Sequence, residues 1–255
     1  MKIGRILPKP LIFHKISLRK ILTNFVLIRK NSLKIMKIFS TLITIGLISI
    51  NFLRRKILHI NVNSIFCKFY DLDSLVRKNL YDIVFVQESK LSPITPDSFI
   101  SNDSYYLLRR DRVAGGGGLL VYVKKAYAIS DIHIDDLFET IKFSKSFKTK
   151  NKRKHPFITS YNPHFKMSHE YIIYLEQFLK VTSRKSKSIV LVGDLNQDQL
   201  SENGKNLKTL MASQNFTSFQ NLPTHIMKNS KTCIDVVFCN NDELISSTEV
   251  SSCPF

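Results

Sequence analysis

The chain has 255 residues, 44% of them hydrophobic, enough for one large domain or two small ones with a sizeable core. Its four cysteines, Cys67, Cys233, Cys239 and Cys253, stand far apart and form no CxxC pair. That spacing excludes a zinc ribbon and argues against a disulfide framework, so they read as reduced thiols of a nuclear or cytoplasmic protein. The formal charge of +18 is unevenly spread: residues 1–56 hold 13 of the 38 Lys and Arg and no acid, leaving 25 basic against 20 acidic residues beyond. A basic excess favours a polyanionic partner, although a compositional bias toward Lys, Asn and Ile accounts for the first segment slightly better.

The charge break predicts a basic extension over 1–56 and a folded domain over 57–255. Within the extension, Ile38 to Leu53 is an uncharged run of 16 residues. It is shorter than the ~20 residues that span a bilayer, and a membrane anchor or a mitochondrial transit peptide is a weaker reading than a packed or poorly ordered extension. From Ile57 the pattern becomes regular. Ile57 to Val62 reads as a strand, Phe69 to Leu80 as a helix, and Asp82 to Glu88 as a buried strand. Tyr105 to Leu108, Leu119 to Val123, Glu139 to Phe143 and Pro156 to Tyr161 read as further strands. Ser144 to Lys154 reads as a mobile basic loop. His169 to Leu179 has helical period, Ser188 to Val192 is the most apolar strand, a helix lies near Lys205 to Gln214, and Cys233 to Cys239 is a last strand. Without strict βαβ alternation, this mixture predicts a four-layer α/β sandwich of two mostly antiparallel sheets flanked by helices.

Several apolar strands end in carboxylates or carboxamides: Asn61 and Asn63, Glu88, and Asp194 with Asn196, while Asp235 interrupts an apolar run. Any one of these could be a turn residue. Glu88 and Asp235 are harder to dismiss, because a buried acid needs a cation or hydrogen-bond donors. Together they form a set of hard oxygen ligands, which suits Mg²⁺ or Mn²⁺ rather than zinc. Gly115 to Gly118 is not a phosphate-binding P-loop, because no Gly-Lys-Ser/Thr follows, and no small-molecule cofactor is expected.

These blocks resemble those of the endonuclease/exonuclease/phosphatase superfamily: Asn61-Val-Asn63-Ser64, Phe85-Val-Gln-Glu-Ser-Lys-Leu91, Gly193-Asp-Leu-Asn196 and Thr232-Cys-Ile-Asp235, in the family's order. Arg109-Arg-Asp-Arg112 with Gly115 to Gly118, Tyr161-Asn-Pro163 and Pro223-Thr-His225 are most similar to endonuclease domains of LINE-type (non-LTR) retrotransposons. The resemblance implies a divalent-metal-dependent DNA-nicking endonuclease. Glu88 with Asn63 or Asn61 would hold the metal. Asp194 would orient or deprotonate water, Asn196 and Tyr161 would hold phosphate oxygens, and Asp235 would orient a histidine. Arg109, Arg110, Arg112, Lys152 and Arg153 would meet the DNA backbone. That histidine belongs to a Ser-Asp-His block which, in relatives, follows a stretch like Ser251 to Phe255. The resemblance therefore implies a site short of one histidine, a fold missing its last strand with that strand's neighbour unpaired, and weakened or absent nicking. His225 could replace the histidine in residue type only, and His59 reads as structural. A phosphatase or lipid phosphodiesterase of the same superfamily, a catalytically dead nucleic-acid-binding relic and a membrane-anchored protein are the competing readings.

Overall fold

The structure, a computed structural model, describes residues 43–53, 55–113, 116–147, 153–164 and 167–252. Fourteen strands and three α-helices lie along these residues. They are β1 (Ile43–Phe52), β2 (Arg55–Asn61), α1 (Phe69–Arg77), β3 (Ile83–Gln87), β4 (Tyr105–Arg110), β5 (Leu119–Lys124), β6 (Tyr127–Asp135), β7 (Thr140–Phe147) and β8 (His155–Tyr161). There follow α2 (His169–Lys185), β9 (Val190–Asp194), α3 (Lys205–Ser213), β10 (Thr217–Ser218), β11 (His225–Met227), β12 (Ser230–Thr232), β13 (Asp235–Cys239) and β14 (Ile245–Ser252).

Two sheets result. The first runs β14-β1-β2-β3-β5-β4, and the small β11–β12 hairpin adds to the first residues of β1. The second runs β10-β13-β9-β8-β7-β6. All pairs are antiparallel except β2–β3 and β8–β9, which are parallel. One core lies between the sheets, built from inward residues such as Ile57, Phe85, Phe143, Phe157, Val192 and Val237. A second lies under α1, where Leu72 and Val76 cover Leu58, Ile60, Val84 and Val86. A third lies under α2 and α3, on Ile158, Leu191, Val236 and Phe238. The expected four layers are present.

The alternation along each strand explains this sorting. On β2, Ile57 enters the inter-sheet core and Leu58 the core under α1. The helices follow the same logic. In α2 the buried residues Tyr171, Leu175, Leu179 and Thr182 recur at three or four positions, Ser168 caps the first turn by accepting from the Tyr171 amide at 3.1 Å, and Arg184 and Lys185 occupy the last turn.

Two expectations about the chain's beginning are corrected. The fold does not start at Ile57, because β1 lies inside the sheet, antiparallel to β2 on one side and to β14 on the other. Ile48, Ile50 and Phe52 enter the inter-sheet core. The uncharged run therefore supplies a strand over Ile43–Phe52, and no helix among the described residues is long and apolar enough to cross a membrane. For the same reason β2 has no unpaired edge; β1 fills the position beside it. The expected loop at Ser144 to Lys154 is shorter than predicted, since β7 runs to Phe147 and β8 starts at His155. Residues 1–42, Gly115, Lys152 and Cys253 lie outside the described residues.

Candidate active site

At one end of the sandwich the terminal inward-facing residues of five strands meet. Asn61 ends β2, and Gln87 ends β3 with Glu88 next in the chain. Tyr161 ends β8, Asp194 ends β9, and Asp235 opens β13. Pairing fixes their neighbours: Asn61 stands beside Gln87, and Asp194 lies between Tyr161 and Asp235. Gly193 permits the close approach of β8 and β9, because a Cβ there would collide with the Ser160 carbonyl oxygen.

Asn61 joins the two sheets. Its side-chain amide donates to Glu88 Oε1 at 3.0 Å and to Asp194 Oδ2 at 2.9 Å, while its oxygen accepts from the Asn63 amide at 2.9 Å. The other Asp194 oxygen accepts from the Asn196 amide at 3.1 Å. Asn196 in turn donates its side-chain amide to the Asn162 carbonyl at 2.8 Å. Lys90 places its ammonium on Asn63 Oδ1 and 3.5 Å from Glu88 Oε2. Of the ten non-glycine residues with positive φ among those described, Asn63, Ser64, Glu88, Lys90 and Asn196 belong to this constellation. Conformational strain thus concentrates where the side chains must be aimed, a pattern common at functional sites.

The electrostatics follow from crowding. Burial, then the neighbouring Asp235 carboxylate, pushes Asp194 well above the usual carboxylate range. Burial also raises Asp235; its hydrogen bond with Thr224 works the other way, and Glu88 adds to the rise. The Tyr161 hydroxyl is raised by burial and then by Glu88 and Asp194. Three carboxylates therefore share a poorly solvated end of the sandwich, an arrangement that a cation would stabilise.

The sequence profile described as the endonuclease/exonuclease/phosphatase family matches residues 58–254. The chain belongs to this family. No curated protein sequence matches it. Among solved structures, the family fold is shared with NExo from Neisseria, a 3' phosphatase bound to a product DNA hairpin, at a TM-score of 0.57 and 16% identity over 74% of this chain and 87% of that one. The endonuclease domain of TRAS1, a telomere-specific non-LTR retrotransposon, superposes at a TM-score of 0.53 and 14% identity, covering 78% and 98%. The Xenopus laevis APE2 catalytic domain gives 0.54 and 13%, covering 73% and 82%. At these identities the likeness speaks for the fold.

Family membership implies a divalent metal, and the residues fit one. Among the described residues no group of three or more His, Cys, Asp or Glu side chains is arranged to wrap an ion. Mg²⁺ does not need such a cage, because it is commonly held by one or two carboxylates, with water and substrate phosphate completing its shell. Glu88, with a partly exposed carboxylate, and the Asn63 carboxamide offer that kind of incomplete shell. Both already attract the Lys90 ammonium, a cation resting between the two expected ligands.

Three of the basic residues expected to meet DNA, Arg109, Arg110 and Arg112, have partners within the fold of this endonuclease/exonuclease/phosphatase chain. Arg109 is a clamp inside the fold, bonded to Asp97, Asp111 and the carbonyls of Ser92 and Thr95. Arg112 is paired with Glu139, a buried acid that also accepts from the Gly118 amide at 2.7 Å. Arg110 binds the carbonyls of Asp111, Asp135 and Asp136. These partners lie up to 27 positions away in sequence, so the basic cluster looked free when read as a string. Arg153 is exposed, but it precedes the first residue of β8, whereas the site is at that strand's last residue. The six steps of extended chain from His155 to Tyr161 alone put roughly 20 Å between them.

Lys90, Glu139 and Asn162 were not singled out as site residues. Lys90 stands inside the Glu88 block, and its spacing of two from the carboxylate was a usable signal. Asn162, whose side chain ties the carbonyls of His164 and Leu195 together, follows Tyr161 directly. For Glu139 no signal exists in the sequence.

Proposed function

We propose that this chain is a divalent-metal-dependent phosphodiester hydrolase that nicks DNA, of the kind found in non-LTR retrotransposons. The observation that carries the reading is the bridge from Asn61 to both Glu88 and Asp194, which ties a candidate metal ligand on one sheet to a candidate base on the other. The likeness to the TRAS1 endonuclease domain and to NExo bound to a DNA hairpin supports DNA as the substrate.

In this reading Glu88 and Asn63 hold Mg²⁺ or Mn²⁺. When bound, the ion supplies Lewis-acid stabilisation of charge on the scissile phosphate. Asp194 orients the attacking water and accepts its proton. Asn61 keeps Asp194 aimed. The Tyr161 hydroxyl, kept protonated, is a donor for a phosphate oxygen, and Asn196 offers a second donor as charge builds. Asp235 stands beside Asp194 as the anchor of the constellation's far side.

The test is conversion of supercoiled plasmid to open circles in Mg²⁺, with Glu88→Ala as control. Nicking by the wild-type chain that is lost in Glu88→Ala is the expected result. Nicking that survives Glu88→Ala, or none by the wild type in either Mg²⁺ or Mn²⁺, refutes the reading.

A further inference from the structure

One layer beneath the site is a histidine that the proposed reaction does not use. His59 lies on β2 two residues before Asn61, so both side chains point between the sheets. It is fully buried, and neither ring nitrogen has a hydrogen-bond partner. Its Nδ1 faces Asp235 Oδ1 at 3.7 Å, and that carboxylate oxygen is itself buried and unpartnered. Asp235 is 2% exposed, and its backbone is fixed by the Thr224 hydroxyl, which accepts from the Ile234 and Asp235 amides at 3.2 Å each.

Unpartnered buried polar atoms are rare and costly, and two that face each other across 3.7 Å have an evident remedy. The gap is only somewhat beyond hydrogen-bond length, and small rotations of the two side chains close it. His225, the histidine next to Thr224, does not offer this contact: it lies on the β11 hairpin strand, paired with Ile45 and Thr232.

We propose that His59 is a positioning residue of the site: its neutral ring donates Nδ1–H to Asp235 Oδ1 and fixes the carboxylate that stands beside Asp194. The consequence for catalysis rests on the nuclease reading above; the contact itself does not. Burial keeps the ring neutral, so the donor is the Nδ1–H tautomer. Held from below, Asp235 is drawn away from Asp194, and the two carboxylates are kept from turning on each other.

Two measurements test this on the full chain. ¹⁵N–¹H spectra of histidine-labelled protein should show a solvent-protected ring Nδ1–H that disappears in His59→Leu and shifts in Asp235→Ala. An Nε2–H tautomer, or an Nδ1–H signal indifferent to Asp235→Ala, overturns the contact whether or not the chain cuts DNA. In the plasmid assay, His59→Leu should lower kcat by about 10–100-fold, the usual range for a supporting partner behind a site, with KM unchanged. His59→Asn, which retains a donor near Nδ1, should recover most of that loss. Equal losses in both variants, or full activity in His59→Leu, overturn the positioning role. Absence of wild-type nicking refutes the nuclease reading and the positioning role together, while the spectra still decide the contact.

Discussion

Asn61→Leu removes the bridge between the sheets while keeping the branching of the side chain at Cγ. Asp194, 2% exposed, would lose one of its two side-chain hydrogen-bond donors. An unsatisfied buried acceptor costs about 1–3 kcal/mol, toward the upper end when charged. Glu88 would lose the same donor, but its side chain is 19% exposed and water replaces the bond at little cost. The Asn63 amide loses its acceptor, worth about 1 kcal/mol. The added apolar contact offsets part of this, so the net destabilisation is about 1–3 kcal/mol, a large share of the ~5–15 kcal/mol of a typical domain. Urea unfolding at pH 7.5 without divalent ions measures it as a lower midpoint with an unchanged slope. Nicking should fall by about 10²–10³, since the base is no longer aimed. A stability loss under about 1 kcal/mol would refute the claim that Asn61 ties the two carboxylates together.

Asp235→Asn should stabilise the metal-free protein at neutral pH while impairing cleavage. Burial and Glu88 raise the folded-state proton affinity of Asp235, so the wild type gains from this group at low pH and loses that gain as pH rises through the folded value. The advantage of the variant should therefore open above about pH 4, the ordinary carboxylate value, and level off above the raised one. A gap in urea midpoints that is flat across pH 4–8 contradicts the assignment. A chain beginning at Arg55 should fail to fold by circular dichroism and proteolysis: Leu47, Ile48, Ile50 and Phe52 are buried and contribute roughly 6–12 kcal/mol together at about 1.5–3 kcal/mol each. Gly193→Ala should cost about 3 kcal/mol or more, because the added methyl meets the Ser160 backbone rather than a movable side chain; a midpoint close to that of the wild type would show that β8 and β9 are not held so closely.

The site was legible where chemistry coincided with strand pattern. Asn61, Glu88 and Asp194 stood out because each puts a polar group at the end of an apolar, β-branched run, and Asp235 because it interrupts one, and the structure brings all four to one end of the sandwich. Inward-facing parity, which the alternation of each strand encodes, is what lets residues from different sheets meet. β1 was missed although Ile48-Ser-Ile50-Asn-Phe52 alternates, because the acid-free, basic segment around it suggested something other than a folded strand. β14 was missed for another reason: its outward positions are polar and exposed, so too few apolar residues mark it. The partners of Arg109 and Arg112 could not be read at all. What decides them is the location of Asp97, Asp111 and Glu139 in space, and a count of charges contains no such information.

The position of β1 also bears on how the protein comes to be assembled. It is the first strand of the described fold and lies against the last, with Leu47 opposite Ser251 and Ile48 opposite Val250. During synthesis β1 can meet β2 at once, but its other edge waits for some 200 residues to be made. Such distant pairing makes folding slow, and until β14 arrives the growing chain carries an open, apolar strand edge able to join another chain. The ribosome therefore releases a protein whose first strand has been exposed longest and is sealed last, and chaperone demand should track the interval between those two events.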